Sequence, residues 1–454
     1  MRGHGWWWTA IGLTLFSVAL VYWAGTRPGF DPYGWLVWGH QTVHASLDTN
    51  AAPSWKPLPY VFTVPFALAG HLELRLWMIT SAAVALSGVV FAGRIVYKLT
   101  AAPPERRWAA ITAGVFAGVT LLGIQNYSHY VLSSQSDPMI VSLCLGAIDC
   151  HLDQRPRAAF VLGALASLGR PEVWAFLGLY SIWAFVKVPR TRWLLITGGA
   201  LILLLWFGIP ALTSRTPFVA AANALDSGRR LHNNLVFGTI GRFLGLNKLP
   251  LELAALLGVV LAFLRRDRVT LVLAGAIVAW VVIEIAFAIH GWPGLARYMF
   301  EAGGVLVVLA GVGVGRLLSD RPRWPMVPSW AGPAVVVVLA ASLVPTAISQ
   351  AGAEHKDLTE QRRRTAEIDR LATVIGGLGG VARLRSCGEP VTRLEYQTML
   401  AYTLGDNVNK VGFKYGPSIA HGNPIILFTP YPTGIGWKVQ AIHQTNPACR
   451  SLPH

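Results

Sequence analysis

Residues 158–185 read AAFVLGALASLGRPEVWAFLGLYSIWAF, an apolar run broken once, at Gly169-Arg170-Pro171-Glu172. How this run is divided decides how the whole chain is threaded. A bilayer core of about 30 Å needs roughly 20 apolar helical residues, and irregular backbone inside it would lack hydrogen-bond partners. Two charges and a proline are therefore expected at a membrane face, with one span on each side. Working outward, apolar runs lie at about residues 6–25, 72–97, 108–125, 137–152, 157–170, 171–187, 193–213, 249–264, 269–290, 299–318 and 331–349. About eleven transmembrane helices are expected.

With the N-terminus inside, this division puts the basic stretches 94–107, 151–157, 187–192, 265–268 and 316–323 on one side. Short Lys- and Arg-rich loops stay cytoplasmic, so five loops agree on one threading. A single span over 157–187 would place one basic end outside. The first apolar run meets no small-residue cleavage site before Thr26-Arg27-Pro28, so it is expected to be retained as a span. Composition agrees: 53% of residues are hydrophobic and 13% charged, against about 25% charged in a soluble domain. The net charge of +16 resides largely in the basic loops, so no nucleic-acid partner is expected. The chain reads as an α-helical multi-pass protein of the plasma membrane.

Residues 351–454 follow as a polar tail and 1–350 form the membrane domain. In the tail, AEHKDLTEQRRRTAEIDRLATVI and LEYQTMLAYTL have helical spacing, while KVGFKY, PIILFTPY and WKVQAIHQ read as strands. A small extracytoplasmic α/β domain is expected, with Cys387 and Cys449 joined in a disulfide that an oxidising compartment permits.

The loops opposite the basic ones are 26–71, 126–136, 214–248 and 291–298, rich in Trp, Tyr, His, Asn and Pro. Fourteen acids precede the tail. Glu105, Asp149, Asp153, Asp267 and Asp320 fall near the cytoplasmic face, which leaves Asp31, Asp48, Glu73, Asp137, Glu172, Asp226, Glu252, Glu284 and Glu301 for any chemistry outside. Asp31-Pro32 has the form of a helix N-cap and first position before YGWLVWGHQTVHASL, a helix expected along the membrane surface. A cap fixes a carboxylate at the bilayer edge, so capping and catalysis are compatible.

Lys56, in the proline-stiffened PSWKPLP, either snorkels to headgroups or meets a phosphate. Arg170 and Glu172 pair with each other or serve a site, since charge at membrane depth marks function. Arg297-Tyr298 is an interfacial anchor or an anion clamp. Arg215, Arg229, Arg230 and His232 run against the basic-loop bias, which phosphate binding would explain. His40 and His44 share a helix face, yet two histidines with QTV between them lack the glutamate of a zinc hydrolase motif, so no metal is expected.

Five segments in this order, FDPYGWLVW (30–38), PSWKPLP (53–59), SQSDP (134–138), LGRPEVW (168–174) and GWPGLARYM (291–299), give the chain a resemblance to the GT-C superfamily of polytopic glycosyltransferases. The bacterial protein O-mannosyltransferase and aminoarabinose transferase-like members are most similar. The resemblance covers residues 1–350. It implies a GT-C fold and an inverting transfer of sugar from a polyprenyl-phosphate donor to an envelope glycan, lipid or protein, with an acid of the first outer loop as base. Asp31 takes that place. Family members with two adjacent acids differ, because Pro32 follows here, so Asp48, Asp137 and Glu172 stay open as alternatives. Lys56, Arg170, Arg215, Arg230 and Arg297 are the candidates for donor phosphate, and Trp35, His40, His44, Trp55 and Tyr298 for further substrate contacts. Trp35, Trp38, Trp55 and Trp292 equally suit an interfacial belt. No cofactor beyond the lipid-linked donor is implied. Two other classes fit the same charges: a transporter or flippase of a lipid-linked sugar, and a non-catalytic envelope-assembly protein. Charges gathered at one face, with no broken helices bearing charge at the midplane, favour the enzyme.

Overall fold

The computed structural model describes residues 4–101, 106–225, 231, 234–319, 328, 330–444 and 446–450. Glu105, Asp226, Arg229, Arg230, His232 and Asp320, given roles above, lie outside the described residues.

Every apolar run folds as helix. In chain order they are α1 (His4–Ala24), α2 (Phe30–Val43), α3 (Pro57–Ala67), α4 (Glu73–Leu99), α5 (Arg107–Leu122), α6 (Tyr127–Leu132), α7 (Asp137–Leu152), α8 (Pro156–Ser167) and α9 (Val173–Lys187). Next come α10 (Arg192–Leu203), α11 (Ile209–Thr213), α12 (Val219–Leu225), α13 (Leu235–Leu244), α14 (Leu249–Arg265), α15 (Arg268–Ile289), α16 (Phe300–Ser319) and α17 (Ala331–Gly377). Among the described residues, six helices are long and apolar enough to cross a membrane, or seven if α13 and α14, bent by 95°, form one span. The expected eleven is therefore not reached by length. At about 1.5 Å per residue, the 16 residues of α5 and α7, the 12 of α8 and the 15 of α9 fall short of a bilayer core.

The membrane character shows on the surface. Trp7, Leu15, Trp193, Leu203, Val272, Val282, Val337 and Ile348 are all exposed, as side chains facing hydrocarbon must be. α16 is the opposite case, buried from Phe300 through Arg316, and its FEAGGVLVVLAGVGVG is what an interior helix requires. Close approach to α14 depends on glycine: a Cβ on Gly313 would lie 2.4 Å from Ala254 O, and one on Gly258 2.4 Å from Leu309 O.

α17 runs unbroken for 47 residues and carries Pro345 within it, so the last apolar run and the first tail helix are one rod. It leads to α18 (Gly380–Cys387), β1 (Glu389–Val391), α19 (Gln397–Leu404), α20 (Tyr415–Ala420), β2 (Ile425–Pro430), β3 (Trp437–Ile442) and α21 (Pro447–Arg450). The sheet has the order β1-β2-β3, parallel between β1 and β2 with Val391 beside Leu427, and antiparallel between β2 and β3 with Phe428 opposite Val439. KVGFKY, expected as a strand, forms only an isolated bridge between Gly412 and Val391. Val411, Phe413 and Tyr415 do alternate, but the turn at Val408–Lys410 and the start of α20 at Tyr415 leave too short a segment between them to extend the pairing. Cys387 is bonded to Cys449.

Candidate active site

Asp31 lies in the first turn of α2, but it is not the cap. Gly29 takes that position with extended backbone (φ −78°, ψ −172°), and no side chain caps the helix. Spared that duty, the Asp31 carboxylate faces Arg297, with Oδ2 3.5 Å from Nη2. Nor does α2 lie open on the membrane: Pro32 through Gly39 and Gln41 are buried. Its tryptophans explain why, since Trp35 packs edge-on against Trp77 at 5.6 Å and Trp38 against Trp55 at 5.0 Å. Trp55 Nε1 donates to Leu205 O at 3.0 Å. Trp35 and Trp55 thus serve the core, at 0% and 1% exposure.

Arg297, in the turn before α16, bridges two acids. Its Nη1 is 3.8 Å from Asp137 Oδ2, and Asp137 opens α7 entirely buried. Arg170, buried between α8 and α9, is held on all sides. Its Nη2 bonds Asp137 Oδ1 and donates to Arg297 O at 3.1 Å. Its Nε is 3.2 Å from Glu301 and its Nη1 3.8 Å from Glu172. Tyr298 lies beneath it, ring centre 4.3 Å away. Such a guanidinium has little left to offer a ligand and acts as the hub that orders the acids around it.

Lys56 differs. Pro53 packs so closely on α2 that a Cβ on Gly34 would sit 2.1 Å from its Cδ, and this brings the 53–59 loop beside Asp31's helix. Lys56 Nζ is enclosed with no hydrogen-bond partner among the described residues, 5.9 Å from the Trp35 ring centre. Burial pushes its ammonium below the ordinary lysine value; the Asp137 and Asp31 charges oppose this, and Arg170 and Arg297 add to it. A buried cation without a partner is costly, and an anion in the adjacent space would relieve it.

The remaining candidates lie elsewhere. Asp48 accepts from Asn50 N at 2.9 Å and from Asn409 Nδ2 at 2.5 Å, so it ties its loop to the C-terminal domain and stands apart from the cations. Arg215 has an exposed side chain, and its backbone N–H donates to Asn50 at 2.9 Å. His40, nine residues beyond Asp31 and so half a helical turn out of phase with it, bonds buried Glu73 at 2.7 Å. His40 and His44 line a cavity of about 300 Å³ with Gln41, Tyr402 and Asp406, away from the Asp31 face. Among the described residues, no group of three or more His, Cys, Asp or Glu is placed to hold a metal.

Three acids enter that the sequence reading left without a role. Glu301 pairs with Arg170, Glu284 on α15 is buried within electrostatic reach of Glu172, and Glu73 holds His40. The available signal was their position in apolar helices, where an acid is expected to have a partner.

Two solved structures share this arrangement of helices and tail. ArnT from Cupriavidus metallidurans bound to undecaprenyl phosphate aligns over 94% of this chain and 94% of its own, with TM-score 0.50 and 14% identity. Its apo form aligns over 95% and 94%, with TM-score 0.52 and 14% identity. The chain has the GT-C fold. No family profile and no curated protein matches it in sequence. On this GT-C scaffold the acids and cations come from the 30–38, 53–59, 134–138, 168–174 and 291–299 segments, which are separated along the chain and meet at one end of the bundle.

Proposed function

We propose that this GT-C protein is an integral membrane glycosyltransferase that moves a sugar from a polyprenyl-phosphate donor to an envelope glycan, lipid or protein, with inversion at the transferred carbon. One observation carries the reading: the enclosed, unpartnered Lys56 ammonium lies in the same charge cluster as Arg297, which faces Asp31. A sugar-phosphate donor brings its own leaving group, which needs positive charge more than a proton. Lys56 and Arg297 supply that charge. Asp31, its side chain 21% exposed, takes the proton from the acceptor hydroxyl as that oxygen attacks the sugar carbon and the phosphate oxygen departs. Asp137 and Arg170 hold Arg297 in place. The undecaprenyl phosphate bound to ArnT supports a lipid phosphate on this fold, and the basic-loop bias supports a reacting face and C-terminal domain outside the cytoplasm.

The test is purified protein in lipid, offered a panel of radiolabelled polyprenyl-phosphate sugars. Asp31→Asn should lower turnover by about 10²- to 10⁴-fold, the range for loss of a general base, while undecaprenyl phosphate still binds. Transfer that survives the substitution moves the base to Asp137. Transfer from no donor by the wild type overturns the enzyme reading in favour of a transporter.

A further inference from the structure

We infer that the C-terminal domain is the positioning element for Asp31, acting through Thr398 and Arg364 on the backbone of residues 27–30. This rests on Asp31 being the acceptor base. α2 begins without a side-chain cap, so its first turn is not anchored by its own residues. The 3.5 Å contact with Arg297 is too long to fix a carboxylate by itself. Support comes instead from a part of the chain more than 330 residues away.

Thr398 Oγ1, on α19, donates to Phe30 O at 2.7 Å, one residue before Asp31. Arg364 Nη2, on α17, donates to Arg27 O at 3.2 Å and to Pro28 O at 2.7 Å. Arg27 returns the contact: its N–H donates to Thr365 Oγ1 at 2.8 Å, and its Nε to Asp369 Oδ1 at 2.8 Å. Arg362 holds Trp23 O and Ala24 O at 2.8 and 2.7 Å. On the other side, Gly29 N donates to Ser133 O at 2.8 Å and Thr26 Oγ1 to Leu132 O at 3.0 Å. The Gln135 side chain also packs here, its Nε2 2.5 Å from where a Cβ on Gly29 would lie.

Residues 26–30 are therefore threaded between the C-terminal domain and the 132–135 connection, and that connection leads directly into Asp137. The clamp sets the separation of Asp31 from the Asp137–Arg297 pair. A general base displaced by about 1 Å can cost roughly 10²-fold, so the clamp acts on turnover and leaves donor binding, which belongs to Lys56 and Arg297, in place. Thr398 and Arg364 touch no reacting atom; they are positioning residues.

The experiment uses the full chain in lipid nanodiscs. Thr398→Val keeps side-chain shape and removes the donor, and Thr398→Ser keeps the donor. Thr398→Val should lower kcat about tenfold, the effect of roughly 1.4 kcal/mol on a barrier, with donor KM and undecaprenyl phosphate binding within about twofold of wild type. Amide exchange over residues 27–33 should quicken, and Thr398→Ser should restore both kcat and protection. Arg364→Lys, which keeps the charge but loses the forked reach, should show the same pattern. Wild-type kcat and wild-type exchange in Thr398→Val would overturn the clamp, as would a loss equally large in Thr398→Ser. If the wild type transfers from no donor, the glycosyltransferase reading fails, and the exchange comparison still decides whether the clamp exists.

Discussion

Asp31 and Lys56 carry opposite charges and opposite histories of burial. Asp31 keeps access to solvent and a loose cationic neighbour, which suits a group that must take a proton and release it. Lys56 keeps its charged atom enclosed with nothing bonded to it, which is destabilising until an anion arrives. Lys56→Met should therefore do two things at once. Binding of undecaprenyl phosphate should weaken by about 10- to 100-fold, as loss of a charge-assisted hydrogen bond of roughly 1.5–3 kcal/mol implies. The melting temperature of the ligand-free protein should rise, because a buried ammonium without a hydrogen-bond partner is gone. Unchanged lipid binding, followed by tryptophan fluorescence during titration, would remove Lys56 from the phosphate site. Both residues were legible as candidates in the sequence because they flank proline and aromatic residues at a membrane edge. Arg170 was equally visible, and so was a pairing with Glu172 two residues on, but its contacts with Asp137 and Glu301 were not, since those acids lie on α7 and α16.

At the scale of elements, α2 was expected as an exposed surface helix and is instead a buried one, wedged beneath α19 and against α3. Amphipathic spacing cannot distinguish a helix facing headgroups from one facing a second protein layer, because both offer it an apolar side. One strut of that layer responds to pH. His40 bonds Glu73 at the start of α4, and this hydrogen bond raises the His40 pKa above the ordinary 6.5, against the opposing effect of partial burial. A raised folded-state value means that the contribution to stability is full below the ordinary pKa and is lost as pH climbs through the raised one. The melting temperature should accordingly exceed that of His40→Gln most at about pH 6, with the gap closing towards about pH 9. A gap that stays constant across that range would assign the strut to packing rather than charge. The junction of α17 shows the same limit of local reading: the apolar run and the polar helix after it look like two elements, yet neither Pro345 nor Gly352 ends the helix, and they continue as one.

For the molecule as a whole, the C-terminal domain is bound to the membrane bundle through the 23–30 segment, Asp48 to Asn409, and Tyr402 beside Tyr33 at 5.3 Å. Its own integrity depends on the Cys387–Cys449 bond, which closes a separation of 62 residues. Loop-closure entropy values such a link at roughly 4 kcal/mol. Replacing both cysteines with serine should leave the spans folded, expose the tail to limited proteolysis and lower turnover in the proposed sugar transfer, because α19 no longer supports α2. A double variant with a protease-resistant tail would contradict this. Local sequence dictates the solvent of each segment: runs of apolar side chains must sit in lipid or core, charged loops must meet water, and the helical character of the membrane runs follows from the need to satisfy backbone groups in hydrocarbon. Which of these groups meet is set by the tertiary fold. Arg297 reaches Asp31 across 266 positions and Thr398 reaches Phe30 across 368, and no local pattern encodes such pairs, because they arise from how glycine-lined helices approach and where that approach delivers their ends.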